Sequence, residues 1–248
     1  MRHRLAVLAS LLALLLGAAS AQAQSGTERL ATVVELFTSQ GCNSCPPADA
    51  LLGELAKRED VIGLTFNVDY WDYLGWRDTL ARPAYTERQR GYAKAMHDRR
   101  VYTPQIVIGG VMHEVGSDEA AILDAIEKAR EEHRAGLAIQ MSRDGERIVV
   151  ALSAGQSPVD ATIWLARFDA KKEVAIRRGE NGGRSLVYYK VVREFTNVGL
   201  WRGEAMEITF SLGDLAKGGR DGCAVIVQLG GHGAIIGAAQ MIFADSDS

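Results

Sequence analysis

A buried-strand pattern that runs straight into two cysteines and then two prolines constrains this chain more than any other feature. Ala31 to Phe37 is almost continuously apolar and β-branched, the pattern of a strand covered on both faces of a sheet. Thr38 to Gly41 break the run, and Cys42-Asn43-Ser44-Cys45 follows at once. Pro46 and Pro47 lack the N–H groups of a helix interior, so they fit only a first turn, where such donors have no intrahelical partner anyway. Leu51, Leu52 and Leu55 then recur on one side of a helix, with Asp49, Glu54, Lys57 and Arg58 on the other. The cysteines therefore belong where a buried strand hands over to a helix. There, backbone N–H groups and the helix dipole favour a thiolate, and a second thiol close by resolves a mixed disulfide.

Cys-x-x-Cys is also half of a zinc knuckle, but the only other cysteine is Cys223 and no histidines have ligand spacing. A purely structural disulfide is the other bland reading, and so small a loop gains little from closure. Redox chemistry is the favoured reading, with a soft-metal (copper or zinc) carrier as the alternative. A redox pair is itself the electron centre, so no cofactor and no metal are expected. Asn43 and Ser44 add polar donors but no charge, which predicts a moderate thiol shift. Glu35 interrupts the apolar run, and a carboxyl there must titrate or find a partner. Two readings stand: it pairs with a basic residue, or it accepts a proton behind the cysteines.

The first residues read as a leader rather than as part of the fold. Arg2, His3 and Arg4 precede an apolar stretch from Leu5 to Leu16, and Ala21-Gln22-Ala23 is a small-residue cleavage pattern. Cleavage after residue 23 removes two of the 28 basic residues, leaving 26 against 31 acidic, so the formal charge moves from −3 to −5. No basic stripe points to nucleic acid, and no other stretch suggests a membrane span. The mature chain is expected to be periplasmic or secreted, in an oxidising compartment.

Ile62 to Val68 reads as a second buried strand. Asp69-Tyr70-Trp71-Asp72-Tyr73-Leu74-Gly75-Trp76 is unusually aromatic, either a rim packed on the core or an apolar platform for a peptide. Arg82 to Arg100 predicts an inserted helix with Tyr85, Tyr92 and Met96 inward. Thr103-Pro104 opens a strand that turns at Gly109-Gly110, and Asp118 caps a helix running to about residue 134. His113 is the one histidine singled out as a possible site neighbour.

That order, with the runs Glu35 to Asp49 and Val68 to Asp72, resembles the thioredoxin superfamily over about residues 32–133. It is more closely similar to a family of secreted bacterial thioredoxin-like proteins of unassigned function. The resemblance implies an α/β thioredoxin-like domain with an inserted helix. It casts Cys42 as the attacking thiol and Cys45 as the resolving one. It also implies a cis-Pro104 facing the disulfide, Thr103 offering its backbone to a bound peptide, and Glu35 where thioredoxins keep a buried acid.

From Gly136 the pattern becomes period-2 strands: 137–141, 147–153, 161–168, 173–177, 186–195, 205–210, 223–229 and 234–243. Asp144-Gly145, Gly182-Gly183 and Gly230-Gly231 punctuate them. The expected organisation is a leader at 1–23, a thioredoxin-like domain at 28–135 and a smaller all-β, sandwich-like domain at 136–244. Cys223 reads as a buried inert thiol. The run Arg177 to Arg184 reads as a solvated hairpin that has the charge to bind an anion or a partner. The functional expectation is an exported thiol–disulfide oxidoreductase acting on a thiol- or disulfide-containing protein or peptide, with an unidentified redox partner. A non-catalytic cell-envelope interaction protein on the same scaffold is the further alternative.

Overall fold

The computed structural model describes residues 31–132 and 136–243. The expected leader lies outside the described residues. Strand β1 (Thr32–Thr38) is buried along its whole length because it is interior to a sheet. Strand β2 (Val61–Asn67) runs parallel on one side and β3 (Gln105–Ile108) antiparallel on the other. Helix α1 (Pro46–Leu55) makes the crossover from β1 to β2, with proline in its first two positions as the backbone argument requires. A single 3-10 turn (Asp72–Leu74) precedes α2 (Pro83–Ala95), the inserted helix, which ends five residues before the expected Arg100. Strand β4 (Met112–Val115) forms the hairpin with β3. Helix α3 (Glu119–Glu132) follows, its start capped by Asp118 Oδ1 accepting from the Ala121 N–H at 3.1 Å.

Alternation along β1 assigns the helices to opposite faces. Val34 and Leu36 pack with Ala48 and Leu52 of α1 and with Ile122 and Ile126 of α3. Val33 and Phe37 pack with Tyr85 and Tyr92 of α2. Leu36 and Leu52 are fully covered, and each such side chain contributes about 1.5–3 kcal/mol toward holding α1 on the sheet.

The second half supplies β5 (Ile139–Asp144), β6 (Arg147–Leu152), β7 (Ala161–Ala175), β8 (Ser185–Trp201), β9 (Met206–Ser211), the short α4 (Leu212–Ala216), β10 (Gly222–Leu229) and β11 (Ile235–Ile242). The three glycine-bearing turns fall where expected. The stretches expected at 161–168 and 173–177 are one long strand, and α4 has no strong signal in the sequence.

A separate all-β unit is not what these strands build. They extend the first-half sheet, giving eight strands in the order β11-β10-β7-β8-β2-β1-β3-β4, and only β5-β6-β9 form a second, antiparallel sheet. The junction is parallel, Thr65 of β2 opposite Val191 of β8, and the Thr65 hydroxyl donates to the Tyr189 carbonyl at 2.7 Å. The small sheet packs on the far end of the large one. Ile148, Val150 and Leu152 meet Ile163, Leu165, Val225 and Val227 there. Two layers do face each other, but one of them is the shared sheet. Strand periodicity reveals which face is buried and not which strand lies alongside, so continuity across residue 135 has no local signal. The architecture is mixed α/β. Among the described residues no helix is long and apolar enough to cross a membrane.

Candidate redox site

Cys42 and Cys45 are joined by a disulfide, with an S–S distance of 2.13 Å. Cys45 is the N-cap residue of α1, and its carbonyl accepts from the Ala48 and Asp49 N–H groups at 2.9 and 3.1 Å. Cys42 is 3% exposed and Cys45 fully covered, while Asn43 and Ser44 between them face solvent. The pair is therefore shallow and asymmetric, with Cys42 as its approachable end. Ser44 Oγ lies 3.4 Å from Cys42 Sγ.

Three distant stretches converge on this loop. Trp71 packs against Gly41, where an added Cβ would come within 3.1 Å of the Trp71 Cβ, so a side chain on the residue before Cys42 would press on Trp71. The Trp71 indole N–H donates to Thr103 Oγ1 at 2.7 Å. The Thr103–Pro104 peptide bond is cis. Pro104 lies beside α1 across Gly116, where an added Cβ would meet Pro104 Cβ at 2.9 Å and Ala48 Cβ at 3.0 Å. Thr103 and Pro104 thus stand on the α1 side, linked to the cysteine loop through Trp71. The aromatic stretch is part of the site's wall, and Tyr73 at its tip is 77% exposed.

Gln40 and Asn181, neither of which the sequence reading singled out for the site, hold the loop from below. Gln40 is fully buried: its Oε1 accepts from the Trp76 indole at 2.8 Å and the Thr79 N–H at 3.2 Å. Asp78 accepts the Gln40 N–H at 2.8 Å and the Asn67 amide at 3.0 Å. Asn181, in the β7–β8 hairpin, donates its side-chain amide to the carbonyls of Gln40 at 3.0 Å and Cys42 at 2.9 Å, and Arg184 holds its Oδ1 at 2.7 Å. A residue expected in a solvated hairpin is fully buried against the cysteine loop. No local pattern announces a contact made across so many residues.

The carboxyls also sort differently from expectation. Glu35 does not lie behind the cysteines. It projects to the α2 face, where Arg88 bridges both its oxygens at 2.9 and 3.1 Å and the Tyr92 hydroxyl donates to it. The pairing reading is the one the structure supports, since alternation along β1 turns Glu35 away from α1. Asp49 is the buried carboxyl on α1 itself. It follows Cys45 by one helical turn, is 3% exposed, and neither of its oxygens has a formed hydrogen bond. Burial pushes its pKa well above the usual carboxylate range. The neighbouring Thr38 hydroxyl draws it partly back, and the charge of Asp78 pushes it further up. Asp49 also lines a cleft of about 240 Å³ between α1 and β8, together with Arg184 and Tyr189. Its spacing of four from Cys45 was the available signal, outweighed by placing every charged residue of α1 on the solvent side.

His113 is not drawn to the disulfide; it contacts Asp98 at 3.1 Å and the Tyr102 hydroxyl at 3.0 Å. Cys223 is buried in β10, and burial pushes its thiol up to about 12. Among the described residues no group of three or more His, Cys, Asp or Glu side chains is placed to hold a metal ion.

Solved structures that resemble this one include the two that follow. A protein from Agrobacterium tumefaciens, determined by X-ray crystallography, is 34% identical with a TM-score of 0.79, covering 89% of this chain and 98% of its own. HBP35 of Porphyromonas gingivalis is 13% identical with a TM-score of 0.58, covering 86% of this chain and 75% of its own, a likeness of fold alone. No curated protein matches. The model of a family described as protein of unknown function (DUF1223) matches residues 33–228. With most of its length inside that match, including the cysteine pair and the β7 and β8 strands that extend the sheet, the chain belongs to the DUF1223 family.

Proposed function

We propose that this chain is an exported thiol–disulfide oxidoreductase built on a thioredoxin-like scaffold and working in the periplasm or outside the cell. The observation that carries the reading is the disulfide at the start of α1, with Cys42 as its approachable end and Thr103 tied to the loop through Trp71. The reduced pair acts on a protein or peptide disulfide. The Cys42 thiolate, favoured by the helix N-terminus, attacks one substrate sulfur. A mixed disulfide forms and one substrate thiolate leaves. Cys45 then gives up its proton and attacks Cys42 Sγ, so the Cys42–Cys45 bond forms and the second substrate thiol leaves. Two electrons pass from the pair to the substrate, and the reverse sequence oxidises a dithiol.

Asp49 takes the role that the resemblance assigned to Glu35. A buried carboxyl with a raised pKa, one turn past Cys45, suits accepting the proton that Cys45 loses. Thr103 and Pro104 shape the substrate groove, and Trp71 fixes Thr103.

The reading is tested by replacing Cys42 and Cys45 with serine. The double variant should keep its fold, as judged by circular dichroism, and lose insulin reduction or dithiol oxidation entirely. Activity equal to that of the unaltered chain would refute the assignment.

A further inference from the structure

The mature chain is acidic, yet the surface built around the cysteine loop is not. Asn181 fixes the β7–β8 hairpin to the Cys42 carbonyl, and the hairpin closes tightly through Gly182 N–H to the Gly179 carbonyl at 3.0 Å and Gly183 N–H to the Ile176 carbonyl at 2.8 Å. Arg177 and Arg178 sit on that hairpin, exposed and, among the described residues, without an ion-pair or side-chain hydrogen-bond partner. Arg77 is equally exposed and, among the described residues, unpaired, next to Trp76, whose indole holds Gln40 two residues before Cys42. Arg184 is a fourth exposed guanidinium, occupied in part by Asn181. The acids on the same segments are mostly covered: Asp69 and Asp72 are half-buried and accept from Thr86 and the Asp78 N–H, Asp78 is buried, and Glu180 alone of these four is exposed. Tyr73 and the half-buried Trp71, on the same segment as Arg77, are stacked with their centroids 6.4 Å apart, and Gly179 of the hairpin approaches that segment at Leu74 and Trp76.

Elsewhere on the surface of the described residues most arginines are matched, Arg82 and Arg99 being exposed without an ion pair. Arg58, Arg90, Arg100, Arg130, Arg147 and Arg202 each contact an acid. Unmatched guanidinium groups gathered at one loop of an acidic chain are the electrostatic pattern that draws and orients an anionic partner. Arginine with aromatic side chains is also the composition that dominates binding hot spots.

We infer that this rim selects the substrate: a peptide disulfide carrying aspartate or glutamate close to its cysteine. The aromatic pair receives the chain next to that cysteine, and Arg77, Arg177 and Arg178 receive the carboxylates. The inference rests on the redox reading above and deepens it by naming the class of substrate.

The test uses the full chain, reduced and freed of reductant, with three probes: the small neutral bis(2-hydroxyethyl) disulfide, a disulfide-linked peptide with Asp and Glu beside cysteine, and the same peptide with Lys in their place. Formation of the Cys42–Cys45 bond is followed by trapping the remaining thiols. The neutral probe should oxidise the pair. The acidic peptide should react about tenfold faster than the basic one at low ionic strength, with the gap closing as salt is added. The variant R77E/R177E/R178E should reverse the preference once each peptide's rate is divided by that of the neutral probe, which corrects for any change in the Cys42 thiol itself. Its neutral counterpart, R77Q/R177Q/R178Q, should abolish the preference and serves in its place if the charge reversal disturbs folding. Equal rates for the two peptides, or a faster basic peptide, with the neutral probe still reacting, would overturn the substrate class and leave the redox reading intact. Failure of all three probes would overturn both.

Discussion

Asn181 donates its side-chain amide to the Cys42 carbonyl at 2.9 Å, so a hairpin from the second half of the chain supports the backbone of a cysteine in the first. The same amide reaches the Gln40 carbonyl, and both oxygens are enclosed. This bond gives the long β7–β8 extension a place in the site rather than a separate role.

Replacing Asn181 with alanine leaves those buried carbonyls short of a donor, a loss of about 1–3 kcal/mol. Urea unfolding of the variant should show that loss, and the disulfide should be reduced faster by dithiothreitol because its loop is freed. Asn181→Asp, which cannot donate from its side chain, should behave at least as badly.

Asp49 sets a pH dependence with a definite sign. Its folded pKa is raised above the unfolded value of roughly 4, so its favourable contribution is complete below that value and is lost as pH rises through the folded pKa. Asp78, also raised mainly by burial, acts in the same direction. Unfolding free energies measured from pH 4 upward should therefore fall for the unaltered chain and fall less for Asp49→Asn. That variant should be the more stable at the upper end, yet exchange thiols about a hundredfold more slowly. A variant that is both destabilised and fully active would remove Asp49 from the mechanism.

Glu35 gives the contrasting outcome. Glu35→Gln strands a guanidinium enclosed by the rings of Phe66, Tyr92, Trp164 and Phe195, at 4.3–5.7 Å from their centroids. Uncompensated buried charge of this kind costs about 3–5 kcal/mol. Denaturant unfolding should show the loss, while the folded variant's exchange rate and its pH profile stay as they were. The two carboxyl variants together separate a structural acid from a catalytic one.

Cys223 should be silent. After reduction under native conditions, iodoacetamide should label Cys42 and leave Cys223 untouched, since burial holds the Cys223 thiol at about 12 and out of contact with solvent. Peptide mass mapping reads this directly, and a label on Cys223 appearing before unfolding would contradict it.

Much of the site's frame was legible in the sequence because it is local. The strand, the loop, the two cysteines and the prolines at α1 follow one another, and each residue type restricts the backbone of the next. Tyr85 and Tyr92 fell on the buried side of α2 for the same reason. What escaped was non-local or depended on a face. Whether Glu35 points to α1 or α2 is a choice of pleat that an apolar run on both sides does not reveal. Asp49 looked solvated because charge on a helix usually is. Thr65 opposite Val191 is a single parallel register between strands more than a hundred residues apart, and Asn181 depends on that pairing for its position.

The reduction potential of the Cys42–Cys45 pair tests the redox reading most directly. The purified chain is equilibrated in dithiothreitol buffers of graded poise, its free thiols are trapped, and the oxidised fraction is read by mass. A reversible two-electron transition at about −120 to −270 mV, where dithiol oxidoreductases work, is the predicted result. A potential below about −300 mV, the range of structural disulfides, would contradict it.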